Sequence, residues 1–170
     1  MTKLVDIFTR IYQPDLYMER TFVILKPCCL QRGIVGEVIS RFEKRGLKLV
    51  AMKMAQLDDE ILKVHYAHLV EKPFFPWILD SMKASPCILC CWEGHNAIQV
   101  VRDMAGATRA SKAVPGTIRG DYSLSAQENI VHTSDSPENA AIELDRFFVE
   151  SDYFDYKSVL DPFKYAPDEM

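Results

Sequence analysis

Thr21–Pro27 reads "TFVILKP", an apolar strand brought to a stop by proline. The next stretch, "IVGEVISRFEKRG" (34–46), changes period. Ile34, Val38, Ile39 and Phe42 recur at helical spacing, and Gly46 is placed to end the helix. "LKLVAMKMA" (47–55) returns to a partly alternating strand pattern. Asp58 is a suitable cap for a helix carrying Ile61, Leu62, His65, Tyr66 and Leu69. "EKPFFP" (71–76) interrupts, and a short helix is expected from about Trp77 to Ala84. "CILCCW" (87–92) reads as a buried third strand, and Asn96 opens a helix running to about Met104. From Gly106 to Leu124 the breakers Pro115, Gly116 and Gly120 predict irregular chain. "NIVH" (129–132) is a short fourth strand. Ser136-Pro137-Glu138 then combines a cap, a first-turn proline and an acid favoured by the helix dipole, starting a helix to about Phe148.

Helices alternating with short apolar strands predict an α/β (α+β) architecture: a ferredoxin-like βαββαβ sandwich with added helices. The aromatic, acidic tail from Glu150 is expected to be irregular and to wrap over the surface. Residues 1–18 read as an N-terminal extension and 19–170 as a single domain, consistent with a length of 170 residues.

The 48% hydrophobic and 26% charged fractions are those of a soluble globular protein. The net charge of −4 provides no global basic field, so nucleic acid is not an expected partner. No apolar run approaches the roughly 20 residues of a bilayer span, and the start lacks the features of a signal peptide. No membrane partner is expected, and the cytoplasm is the expected compartment. The odd count of five cysteines argues for free thiols. Cys87 and Cys90 form a C-x-x-C, but in a strand residues three apart face opposite sides, so a metal or redox pair is not expected there.

The glycine-rich loops that cradle phosphates are missing, because "GIVG" has the wrong spacing. A phosphate site would have to be built from side chains. Lys26 at a strand exit, Arg102 in a helix, Thr108 just after it and Arg119 in "PGTIRGD" (115–121) are the candidates. Individually each reads as a solvated surface group; together, at loop and strand ends, they read as a pocket. His132 has two readings as well: an ordinary strand-end histidine, or a reactive one. The helix after Ser136 could aim Glu143, together with the Ser134 hydroxyl, at His132. A carboxylate that fixes one ring nitrogen leaves the other free and basic. His65 and His68 have metal-compatible spacing, but no Cys, Asp or Glu cluster stands near them in sequence. A partly exposed helix face is the expectation.

These residues fall in stretches that together match a family. "ERTFVILKP", "QRGIVGEVISRFEKRG", "HYAHL", "KPFF", "WEG", "PGTIRGD" and "NIVHTSDS" occur in the family's order across roughly Glu19 to Tyr156, a span of about four-fifths of the chain. The chain resembles the nucleoside diphosphate kinases, whose signature N-x-x-H-x-S-D is met by "NIVHTSDS". The resemblance implies ping-pong transfer of a γ-phosphate from a nucleoside triphosphate, chiefly ATP, to nucleoside diphosphates through a phosphohistidine, helped by Mg²⁺ carried on the phosphates. It implies His132 as nucleophile, oriented by Glu143 and Ser134, with Tyr66 beside it. Lys26 would contact phosphates and the sugar 3′-hydroxyl, and Asn129 the sugar. Arg102, Thr108 and Arg119 would hold the phosphates, and Phe74 would stack on the base. It also implies a homo-oligomer, a hexamer in preference to a tetramer.

The chain departs from the family pattern at Cys28-Cys29, usually Asp-Gly, at Arg109-Ala110, usually Asn-Pro, and at Thr133, usually Gly. Because the two cysteines follow the pocket lysine, a bulky thiol reagent is expected to lower activity there. The alternative function is a catalytically weak paralogue serving as a nucleotide-binding scaffold or signalling module. Loss of the histidine, lysine or an arginine would favour it, and all are present.

Overall fold

A computed structural model describes residues 18–166. The proposed extension therefore lies outside the described residues except for Met18, which already belongs to the first strand. In order, the elements are β1 (Met18–Leu25), α1 (Pro27–Gln31), α2 (Val35–Lys44), β2 (Lys48–Ala55), α3 (Asp59–His65), α4 (Phe75–Lys83), β3 (Cys87–His95), α5 (Ala97–Ala105), α6 (Ile118–Tyr122), β4 (Val131–Thr133), α7 (Pro137–Phe147) and α8 (Asp161–Lys164). The strands form one antiparallel sheet in the order β2-β3-β1-β4. With α2 and α5 as crossovers, this is the ferredoxin-like α+β fold.

β1 lies between two partners, and both of its faces are covered, which is why it reads as an unbroken apolar run. Phe22 and Ile24 point to one face, packing with Leu62, Tyr66, Phe75, Met82, Leu144 and Phe147 from α3, α4 and α7. Val23 and Leu25 point to the other, packing with Val38 and Phe42 of α2 and Val101 of α5. Cys87 lies on the first face and Cys90 on the second, as the alternation predicts, and all five thiols are free and buried.

Three local expectations are corrected. Pro27 does not merely stop the strand: it takes the first-turn position of α1, where a missing N–H costs nothing. The stretch from Gly106 to Leu124 is not irregular throughout. It holds a 3₁₀ turn at Ala110–Lys112 and α6, whose Thr117 cap accepts a bond from Gly120 N. The tail holds α8, and it also completes an edge. β2 is an outer strand with a bulge between Leu49 and Ala51, and the tail takes the main-chain groups this frees. Phe154 N donates to Val50 O at 2.8 Å, and Tyr156 Oη donates to Leu49 O at 2.9 Å. No helix among the described residues is long and apolar enough to cross a membrane.

Candidate active site

β4, the outer strand beside β1, presents His132 with its side chain about one-fifth exposed. α7 starts from Ser136, whose hydroxyl accepts from Asn139 N, and this cap sets the helix phase. Two turns on, Glu143 comes back over β4. Its Oε1 accepts from His132 Nε2 at 2.8 Å, while Ser134 Oγ donates to its Oε2 at 2.5 Å. With Nε2 committed as donor, His132 Nδ1 keeps its lone pair. Tyr66 lies perpendicular to the imidazole, ring centroids 6.0 Å apart, with its hydroxyl buried against Met82 Sδ.

A second network lies beside this one. Lys26 Nζ donates to Asn129 Oδ1 at 2.6 Å and to Gln127 O at 3.1 Å. Asn129 Nδ2 in turn donates to the carbonyls of Thr108 and Ala126. Burial and the neighbouring Arg119 charge hold the Lys26 ammonium down at about 8. Arg119 is itself buried and lowered to about 10 by burial and Arg102. It donates to the carbonyls of Gly106, Asn129 and Val131. An arginine has five N–H groups, so one on each terminal nitrogen is left for a ligand. Gly120 makes this close packing possible: a Cβ there would stand 2.1 Å from Val114 O.

Between the networks the chain is strained. Ile130 has φ 72°, and Val131 N donates to Asn129 O across it, a tight three-residue turn rarely taken by a β-branched residue. Such a residue costs on the order of 1–3 kcal/mol and persists only where its surroundings hold it. Here the side chain is completely buried. The turn puts Asn129 and His132 on the same rim although they are only three residues apart.

The structure thus joins His132, Glu143, Ser134 and Tyr66 in one group and Lys26, Asn129 and Arg119 in another. Arg102 and Thr108 are exposed; Arg102 acts electrostatically on Arg119 and Asp135. Phe74, at the N-cap of α4, is 37% exposed, and among the described residues no hydrogen bond or ring contact ties it to either group.

Two expectations change. His65 and His68 do not share a face: His68 lies exposed in the 3₁₀ turn after α3, and His65 is buried with its ring centroid 4.5 Å from that of His132. His65 stood on the apolar stripe with Leu62 and Tyr66, and that stripe was the signal that it faces inward. Burial, with His132 and Arg146 nearby, drives its pKa down to about 2, so the ring is neutral. The structure also speaks against the expectation for Cys28 and Cys29. Both are buried, and burial raises their thiols, Cys29 to about 12. Thiolate is the reactive form, so burial and the raised pKa both oppose reaction at neutral pH.

The nucleoside diphosphate kinase profile matches residues 19–153 of this chain, from the start of β1 to just past α7. The chain belongs to the nucleoside diphosphate kinase family. It is 62% identical over 155 residues to the nucleoside diphosphate kinase of Parabacteroides distasonis, covering 90% of this chain and 100% of that protein. It is 51% identical over 152 residues to that of Rhodopirellula baltica, covering 89% and 100%. Among solved structures it superposes on the nucleoside diphosphate kinase of Halobacterium salinarum in complex with CDP. The TM-score there is 0.85 at 37% identity, covering 88% of this chain and 100% of that one. The family makes this chain a phosphotransferase, and the neighbours share its four-stranded fold.

Proposed function

We propose that the protein transfers the γ-phosphate of a nucleoside triphosphate, chiefly ATP, to nucleoside diphosphates by a ping-pong route through phosphohistidine at His132. The observation that carries this reading is the Glu143–His132 bond, which ties Nε2 and leaves Nδ1 as the nucleophile. In the first half-reaction the Nδ1 lone pair attacks the γ-phosphorus. The P–N bond forms, the bond to the β,γ-bridging oxygen breaks, and the diphosphate leaves with that electron pair. The ring gains positive charge, which the Glu143 carboxylate offsets. A second diphosphate then takes the phosphoryl group by the reverse steps.

Phosphoryl transfer depends mainly on positioning and on charge placed around the moving group. Arg119 and Arg102 supply that charge, with Thr108 as a hydroxyl partner, and Lys26 and Asn129 would hold the sugar hydroxyls and phosphates. Phe74 offers a flat face to any base, since every base stacks. The CDP carried by the Halobacterium salinarum neighbour supports a nucleotide in this pocket.

Mg²⁺ prefers oxygen ligands. Among the described residues the cluster of possible ligands is His65, His132 and Glu143. It is rich in nitrogen, and Arg146 lies 3.2 Å from His65 Nδ1. The residues therefore fit Mg²⁺ held through nucleotide phosphates and not in a protein cage; when bound, it would neutralise phosphate oxygens. We take residues 19–170 as one catalytic domain, working in the cytoplasm as a homo-oligomer, a hexamer in preference to a tetramer.

Steady-state kinetics with ATP and a panel of diphosphates test the reading. Parallel double-reciprocal lines, with kcat/KM varying no more than roughly a hundredfold among bases, are expected. Intersecting lines, or preference for one base above about a thousandfold, would contradict it.

A further inference from the structure

Glu143 and Arg146 lie three residues apart on α7, a spacing at which a carboxylate and a guanidinium meet on one helix face. They are not paired here. Among the described residues the imidazoles nearest the Glu143 carboxylate are that of His132, bonded to it, and the neutral ring of His65, which is not. Arg146 Nη1 instead donates to Nδ1 of His65 at 3.2 Å. Arginine can only donate, so Nδ1 accepts and His65 carries its proton on Nε2. That Nε2 is buried without a hydrogen-bond partner, so what the ring engages is on the Nδ1 side. The His65 side chain is completely buried, and its Nδ1 stands 3.8 Å from Glu143 Oε1. The ring meets His132 edge-on at 73°.

We infer that His65 is a positioning residue for the phosphoryl acceptor. By accepting the Arg146 N–H it keeps that guanidinium off Glu143, so both carboxylate oxygens stay with His132 and Ser134. Its ring edge also limits the rotation of the His132 imidazole. Without the acceptor, Arg146 has a carboxylate three residues away on its own helix and takes it. Glu143 then shares its charge with a cation and turns from His132. The inference rests on His132 being the phosphorylated group.

The test is a comparison of the intact chain with His65→Phe, Arg146→Gln and the double variant, following single-turnover labelling of the protein by triphosphate. His65→Phe keeps an aromatic ring of similar size but removes the acceptor. It should slow labelling on the order of 10–100-fold, the scale for displacing a reacting group by a fraction of an ångström to one, with nucleotide KM little changed. Arg146→Gln alone should stay within about threefold of the parent, since it removes the competitor. The double variant should recover most of the rate lost by His65→Phe. A merely structural role for His65 predicts no such recovery.

A double variant as slow as His65→Phe, or a His65→Phe variant as fast as the parent, would overturn the inference. Should His65→Phe not fold, ¹⁵N NMR of the parent chain decides. His65 is expected as the neutral Nε2–H form from pH 5 to 9, and a proton on Nδ1 overturns the inference. Absence of acid-labile label on the parent protein would instead sink the phosphohistidine reading, which separates the two failures.

Discussion

Glu143→Gln isolates charge from geometry at the centre of the site. The amide oxygen can still accept from His132 Nε2, and the amide N–H can face Ser134 Oγ, which has Phe22 O at 3.4 Å as another acceptor for its own proton. What is lost is the negative charge facing the ring as it becomes positive. Two unit charges about 4 Å apart interact by about 4 kcal/mol at an effective dielectric of roughly 20. The Glu143 side chain is only 12% exposed, so screening by water is limited. With half the ring charge developed in the transition state, the loss is about 2 kcal/mol, roughly 30-fold in rate. Glu143→Ala removes the acceptor as well and should cost on the order of 10²–10³-fold. Rapid-quench measurement of a single turnover, over a range of triphosphate concentrations, separates the chemical step from binding. Equal rates for parent and Glu143→Gln, or a loss found wholly in nucleotide affinity, would refute the reasoning.

Three further outcomes are expected. Lys26 has its folded pKa depressed to about 8, so the free enzyme loses this charge above that pH. KM for triphosphate should therefore rise through pH 8–9, by up to about tenfold per unit, and Lys26→Gln, weak throughout, should show no such limb in a pH–KM profile. His65 has its folded pKa depressed below the unfolded value of 6.5. The unfolded chain then takes up a proton that the native state does not, and stability falls as pH drops below about 6.5. The slope is about 1.4 kcal/mol per unit, and denaturant titrations of parent and His65→Phe should differ by that slope. The buried cysteines, Cys28 and Cys29 among them, should resist iodoacetamide in the native protein at pH 7.5, with activity unchanged. Rapid alkylation with loss of activity would contradict their burial.

Much of this was legible in the sequence because it was local. "TFVILKP" and "CILCCW" announce strands through apolar runs, Ser136-Pro137 announces the start of α7, and seven residues on from Ser136 the helix period returns Glu143 to His132. What was not legible depended on other elements. α6 is a single turn whose cap, Thr117, is hidden among breakers, and its formation depends on the packing of Gly120 under Val114. His65 reads as an amphipathic-helix residue until α7 supplies Arg146 and β4 supplies His132, more than sixty residues away in sequence. The burial of Cys28 depends on α1, a five-residue helix that no periodicity in so short a stretch can signal. The positive φ of Ile130 runs against the preference of its own side chain and persists where that side chain is completely buried.

The central claim is that His132 becomes covalently phosphorylated. Incubating the intact protein with γ-labelled ATP and no acceptor, then mapping the label by mass spectrometry after acid and base treatment, tests it most directly. The account predicts one acid-labile, base-stable phosphoryl group on His132. It should be discharged by adding any nucleoside diphosphate and be absent from a folded His132→Ala variant. Label on another residue, or full transfer activity in His132→Ala, would contradict it.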